Sequence, residues 1–396
     1  MVELIKAGSV RRLFACMGVS LLSLNVWAQT TSPASRALDG TEKLLQKLSQ
    51  APGPPGAEDA VRKIMIDEMT PYASKPVRFD GIGSVIVQQG TTGPAIMIDA
   101  HMDELGALVR RITPDGFLRM QWEGGWLDQT LLDQRWVIIG SKGPVRAITG
   151  DRDTHVTPLA ERSVMITRDQ LYLDVGAKSA EEVAALGIRP GDPIVPDSSF
   201  EVLNQSRLYL GKAWDDRVGL AVMIEAMRRL AELPHPNRLF WVSTVQEEQG
   251  LRGARPSSTI VKPDLGLALE SGLASDTPLN KPEDSMEKLG IGPGIMLWDT
   301  QTVGSRKLIE YIRQKAAEKH IPLQEDVVQL FGADSFEMQT TNEGAPAVVL
   351  LVPVRSTHAH NGLINRDDYD RMVDLLVSVL QSLDELTVRS LRDYSH

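Results

Sequence analysis

Four apolar runs dominate the chain, and each one ends on groups that carry charge or bind metals. They are PAIMIDAHMDE (94–104), RLFWVSTVQEE (238–248), DLGLALES (264–271) and APAVVLLVPVRSTHAH (345–360). Runs this short and this apolar, bounded by Gly, Pro and Asp, suit strands buried on both faces, as in parallel sheets. Between and after them lie segments with apolar residues at helical spacing, DRVGLAVMIEAMRRLAEL and DDYDRMVDLLVSVLQSLDEL. Strand–helix alternation of this kind predicts an α/β domain, a mixed sheet flanked by helices. In open α/β sheets the ligand crevice lies beyond the carboxyl ends of the strands. The ends of these four runs are therefore where chemistry is expected.

One region interrupts the alternation. Over 105–198 the runs become short (WVIIG, PVRAIT, LYLDVG, DPIVP) and are separated by Gly, Pro and Asp. That texture predicts a small β-rich module inserted into the larger domain, which is then built from residues 38–104 and 199–392. The N-terminus differs again. Arg11 and Arg12 precede a mostly apolar run from Leu13 to Trp27 that ends on Val26-Trp27-Ala28. The run is short for a membrane span and its small-x-small ending suits a signal peptidase, so residues 1–28 are read as a cleavable signal peptide. Residues 29–37, QTTSPASRA, are read as a disordered leader, and the mature protein is expected in the periplasm or outside the cell. No stable membrane association is expected after cleavage.

Cys16, the single cysteine, falls inside this segment, so the mature chain has neither a disulfide nor a thiol nucleophile. The net charge is −10, and removing residues 1–28 takes away Lys6, Arg11 and Arg12 but only Glu3. An acidic chain of this kind is a poor partner for nucleic acid or for an anionic membrane surface.

The strand ends deliver His101 with Asp103, Glu247 with Glu248, Glu270, and His358 with His360, while KAWDDRVG places Asp215 and Asp216 just before a helix. Each has a plainer reading. HMD alone is more often a structural histidine with a carboxylate partner, DDR is most simply a helix cap, and EE is most simply a solvated turn. Adjacent residues on a strand point to opposite faces, which makes Glu247 and Glu248 an oddity at the end of a buried run. Taken jointly, two histidines and several carboxylates without cysteine form a nitrogen/oxygen ligand set suited to Zn, Co or Mn. Two ions at about 3.5–4 Å need a bridging carboxylate with ligands on either side. A further carboxylate, not bound to metal, is then free to act as general base. His155, His235, His320 and His396 lie outside this set.

With these residues in place, the chain resembles the tetrahedral aminopeptidases, the glutamyl-aminopeptidase-like family of dinuclear metallopeptidases, some relatives of which bear the name endoglucanase. The resemblance runs from about Leu38 to Leu386 and rests on AHMDELG, GFLRMQWEGGW, YLDVGAKSAEEVAALGIRPGD, KAWDDRVG, TVQEEQGLRGA, DTP after Glu270, and RSTHAHNGLI. It implies a catalytic α/β domain with an inserted β-rich dimerisation domain, two divalent metal ions per subunit (zinc first, cobalt or manganese next), short peptides as substrates, and a homodimer or homododecamer. It implies His101 and Glu270 on one metal, Glu248 and His358 on the other, and Asp215 between them. Glu247 matches the general base, Asp103 the carboxylate that orients the His101 ring, and Asp334 a residue that helps hold the substrate's free amine. Ser356 stands where the family often has an aromatic residue, and GADS (332–335) stands where it commonly has GTDA; both changes bear on side-chain specificity rather than on metal binding. The alternatives are a carboxypeptidase or deacylase of the same broad clan, a glycoside hydrolase, and a non-catalytic peptide-binding module.

Overall fold

The computed structural model describes residues 36–395 except 282. The expected signal over 1–28 lies outside the described residues, as does most of the expected leader. The β-structure of the described chain forms two bodies, an 11-stranded mixed sheet and a closed six-stranded barrel.

Four adjacent strands at the centre of the sheet run parallel, in the order Arg238–Thr244, Ala95–His101, Leu265–Leu273, Ala347–Arg355. These are the four apolar runs, and every residue of Ala95–His101 is buried. The register sets Thr244 level with His101 and Ala268 level with Asp99. Because side chains repeat every two residues, Glu270 then arrives at the same height and on the same face as His101. Four parallel strands ending together give one edge where backbone pairing stops and polar groups are delivered side by side.

The helix Trp214–Ala231 crosses this sheet and buries Val218, Ala221, Val222 and Met223, and the helix Arg366–Ser382 packs against it. At its start the two aspartates part company. Both lie outside helical geometry, but Asp216 Oδ1 accepts from the Gly219 amide at 3.0 Å, capping the helix, while Asp215 turns its carboxylate to His101 and His358. Such a cap stabilises a helix end by about 1 kcal/mol. Gly219 is required there, since a Cβ at that position would lie 2.4 Å from the Asp216 carboxylate.

The barrel strands are Gly106–Ile112, Leu118–Glu123, Arg135–Gly140, Gly143–Gly150, Tyr172–Asp174 and Pro193–Pro196. They close on a separate core of Leu118, Met120, Trp126, Trp136, Ile138, Leu173 and Ile194. Closure leaves no open strand edge, which suits strands too short to hold a free-standing sheet. Among the described residues, no helix is long and apolar enough to cross a membrane.

Candidate metal centre

His101, Asp215, Glu247, Glu248, Glu270 and His358 meet at the carboxyl edge of the central strands. His101 Nε2 lies 3.0 Å from Asp215 Oδ1, 3.7 Å from Glu270 Oε2 and 3.9 Å from Glu247 Oε2. His358 Nε2 lies 3.1 Å from the other oxygen, Asp215 Oδ2, and 3.6 Å from Glu248 Oε1. One carboxylate thus faces a different histidine with each of its oxygens; Glu270 and Glu247 also flank His101, and Glu248 flanks His358.

Glu247 and Glu248 do not extend the strand. Gln246 adopts a left-handed conformation (φ 56°), and Glu247–Gln249 follow as a single 3₁₀ turn. The expected opposition of the two side chains across a strand is replaced by a turn that brings both carboxylates to the site. Asp103 holds that turn: its Oδ1 and Oδ2 accept from the Glu247 and Glu248 amides, both at 3.0 Å. The His101 ring is oriented by the same residue in a different way, with Nδ1 donating to the Asp103 main-chain carbonyl at 3.0 Å and the carboxylate oxygen further off at 3.6 Å.

The electrostatics are those of an overloaded anionic pocket. Burial pushes the Glu247 and Glu270 carboxyls well above the usual range, although His101 pulls both down. Burial likewise takes Glu248 up to about 7 against the pull of His358. Asp215 goes the other way: burial favours its neutral form, but hydrogen bonds with His101 and His358 outweigh it and hold the group charged. His358 is raised to about 10, since Glu248 and Asp215 overcome a desolvation that would lower it.

Cations fit this donor set. Three groups, His101–Asp215–Glu270, Asp215–Glu248–His358 and His101–Glu247–Glu248, each bring their ligand atoms within 4.8 Å of one another. Glu248 Oε1 is buried without a hydrogen-bond partner, as a ligand oxygen lacking its ion should be. All donors are imidazole nitrogens and carboxylate oxygens, the chemistry of Zn, Co or Mn.

Asp334 lies close by but beneath the edge, 2% exposed, its Oδ2 accepting from Thr244 Oγ1 at 2.6 Å and its Oδ1 without a partner. Burial raises its carboxyl to about 6. Residues that composition and motif did not single out also support the site. Glu104 Oε1 accepts from the buried Lys212 Nζ at 2.6 Å, tying the His101 strand end to the loop before Asp215. Arg217, fully buried, donates to the carbonyls of Leu48, Ala51 and Met102. Their signal in the sequence was charge inside otherwise ordinary motif neighbours, HMDE and KAWDDR. Gly125 reaches the site from the barrel through its carbonyl, where the absence of a side chain in EGGW allows a close approach.

A mixed sheet delivers two histidines around a shared aspartate, with a barrel set into the sequence between two sheet strands. The family model for M42 glutamyl aminopeptidase matches residues 83–375, and the chain belongs to that family. It is 33% identical over 344 residues to a lysyl aminopeptidase of Pyrococcus furiosus, covering 86% of this chain and 97% of the relative. A TET aminopeptidase structure from a marine sediment Thaumarchaeota archaeon superposes with a TM-score of 0.86 at 37% identity, covering 89% of this chain and all of that one. The dodecameric PhTET1-12s superposes with a TM-score of 0.78 at 29% identity, covering 87% and 100%. The protein is a metal-dependent aminopeptidase.

Proposed function

We propose that this chain is an exported two-metal aminopeptidase that removes residues from the free N-termini of short peptides, with Glu247 as its general base. The observation that carries the reading is Asp215, whose two oxygens each face one histidine at 3.0 and 3.1 Å. His101 and Glu270 would complete one ion, and His358 and Glu248 the other. Two divalent ions, zinc first and cobalt or manganese next, would supply Lewis acidity to the scissile carbonyl and bring the pKa of water towards neutrality.

The remaining work falls to the chain itself. Glu247 reaches the His101 side of the site, and its amide rather than its carboxylate is used by Asp103. Its carboxylate takes a proton from the attacking water and passes it to the departing amine, a base that becomes an acid within one turnover. Burial has already raised its proton affinity, which favours holding that proton between the two steps. Asp103 keeps Glu247 and Glu248 in one turn, so the proton carrier stays beside the ligand. The substrate's free ammonium is drawn to the anionic end of the crevice, and Asp334, with one unpartnered oxygen, is the residue assigned to it by family resemblance.

Assembly into a homo-oligomer is proposed by analogy with the dodecameric relative. Val156, Leu159, Val164 and Met165, exposed on one segment of the barrel, supply apolar surface for it. Export rests on Arg11–Arg12, the apolar run and Val26-Trp27-Ala28. N-terminal sequencing of the protein from a periplasmic fraction should begin near Gln29.

The deciding assay uses aminoacyl 4-nitroanilides, free and N-acetylated, on metal-stripped enzyme reloaded with Zn, Co or Mn. Turnover of the free-amine substrates alone, restored by metal, is the expected result. Cleavage of blocked substrates would move the chain to the carboxypeptidases or deacylases. Glycan hydrolysis in EDTA would move it to the glycosidases, whose paired carboxylates need no metal.

A further inference from the structure

The two histidines of the site are held very differently. His101 is 1% exposed, and its ring contacts Asp103, Asp215, Glu247 and Glu270, all residues of the sheet domain. His358 is 37% exposed and stands on a loop in which it and Ser356 both adopt left-handed backbone, at φ 57° and 59°. Non-glycine residues hold that conformation at a cost, so the loop needs support from outside itself. The support comes from the barrel.

On one side, His358 Nδ1 lies 2.9 Å from the carbonyl of Gly125, 233 positions away. A carbonyl there accepts a hydrogen bond from Nδ1–H and so keeps Nε2 turned towards Asp215 and Glu248, the task of an outer partner to a metal-binding histidine. Side chains are crowded at this turn. A Cβ on Gly125 would lie 3.0 Å from His358 Nδ1, and one on Gly124 would lie 1.9 Å from Leu105 Cδ2 and 3.0 Å from Glu248 Oε2. The turn is fixed to the barrel by Trp126, whose Nε1 donates to the Gly106 and Glu123 carbonyls at 3.1 and 3.0 Å.

On the other side, His360 leaves the centre altogether. Its ring packs edge-on against Trp136 with centroids 4.2 Å apart and tilts on Trp126 at 5.7 Å, and its Nε2 lies 3.1 Å from the Arg135 carbonyl. His358 and His360, two residues apart, both hold the barrel, one at the Gly125 carbonyl and the other at Trp126, Trp136 and the Arg135 carbonyl. The sequence presents them as a pair; the structure makes one a ligand and the other an anchor.

The structure assigns the barrel a share in the metal centre itself: Gly125 and His360 are positioning residues for His358, so that the Glu248–His358 half of the site depends on the barrel and the His101–Glu270 half does not. This rests on the two-ion reading above. It is tested on the full-length metal-stripped protein by calorimetric zinc titration, with bound metal counted after desalting, for wild type, G125A, H360A, H360F and H358A. Wild type should take up two equivalents. G125A, in which the His358 ring must give way by a few tenths of an ångström, and H360A should retain one equivalent unchanged and bind the other at least tenfold more weakly. Excess zinc should then restore kcat. H360F, which keeps the ring among the tryptophans but loses the Arg135 bond, should fall between H360A and wild type. A purely structural role would instead lower the melting temperature and weaken both equivalents in parallel.

Two wild-type equivalents in G125A and H360A, or parallel loss of both, overturns the assignment. Should H360A not fold, G125A decides alone. If wild type itself binds one ion, the two-ion reading fails and H358A decides the rest. The assignment stands if that single uptake is lost in H358A and weakened in G125A, and falls if either variant leaves it intact.

Discussion

Two groups of acids are buried in the sheet domain, and they have opposite fates. Around His101 and His358, the oxygens of Asp215, Glu247, Glu248 and Glu270 converge with two imidazoles, every ligand atom of each set within 4.8 Å. Away from that edge, Glu287 is completely buried with neither carboxylate oxygen hydrogen-bonded, beside Asp326 and Asp368. Space for it is left by Gly272 and Gly294, where an added Cβ would meet its oxygens at 1.9 Å. Asp326 is satisfied locally, with Oδ1 accepting from the Val327 amide at 2.8 Å, and Asp368 Oδ2 accepts from the Gly290 amide at 2.6 Å. Among the described residues, no metal-capable set forms there. Burial alone raises a carboxyl's proton affinity in both places. Convergence with imidazoles turns burial into a cation site, whereas dispersal leaves a carboxyl to be held neutral.

Asp215 is where that distinction breaks most completely. Asp215→Ala removes the proposed shared ligand, and should abolish tight metal binding with kcat/KM falling on the order of 10⁴-fold, about 5.5 kcal/mol of transition-state stabilisation. Elemental analysis alongside turnover checks it; a variant retaining two ions would show that Asp215 does not bridge. Glu247→Gln should act next in size. It keeps the turn and the Asp103 hydrogen bond to its amide but removes the proposed proton carrier, so kcat should fall roughly 10²–10⁴-fold while metal content stays unchanged. Equal turnover in this variant would leave the base to another acid of the cluster.

How far this was legible in the sequence varied with the kind of constraint. The four central strands were readable because each is an uninterrupted apolar run, a pattern few other local structures tolerate. His101, Asp215, Glu270 and His358 were readable because each stands at such a strand's end or just before a helix. The turn at Glu247 was not, because nothing in QEEQG announces a left-handed Gln246. The choice of Asp215 over Asp216 and of His358 over His360 came through the family resemblance and not from the residues' own pattern, since both depend on a partner that folding brings from far along the chain. The Gly125 carbonyl belongs to the same class: its role is a main-chain position and leaves no side-chain signature. Closure of the barrel was equally hidden, because strands of three to eight residues fix neither partner nor register until their neighbours are in place.

Glu287 gives the smallest effect and the finest test of the comparison. Burial, with Asp326 and Asp368 nearby, raises its pKa well above the ordinary value of 4.5. In the pH range above 4.5 the native state therefore keeps a proton that the unfolded state has released, and stability falls as pH rises. The favourable contribution is fully present below pH 4.5 and is lost towards alkaline pH. Glu287→Gln removes this titration while keeping the shape of the side chain. Its stability should match that of wild type in acid and exceed it by about 1–3 kcal/mol at pH 8, read from denaturation midpoints, with metal content and kcat unchanged. The comparison breaks if calcium or zinc stabilises Asp215→Ala and this gain vanishes when Glu287→Gln is added. The dispersed acids would then bind a cation after all, and convergence would not be what separates the two clusters.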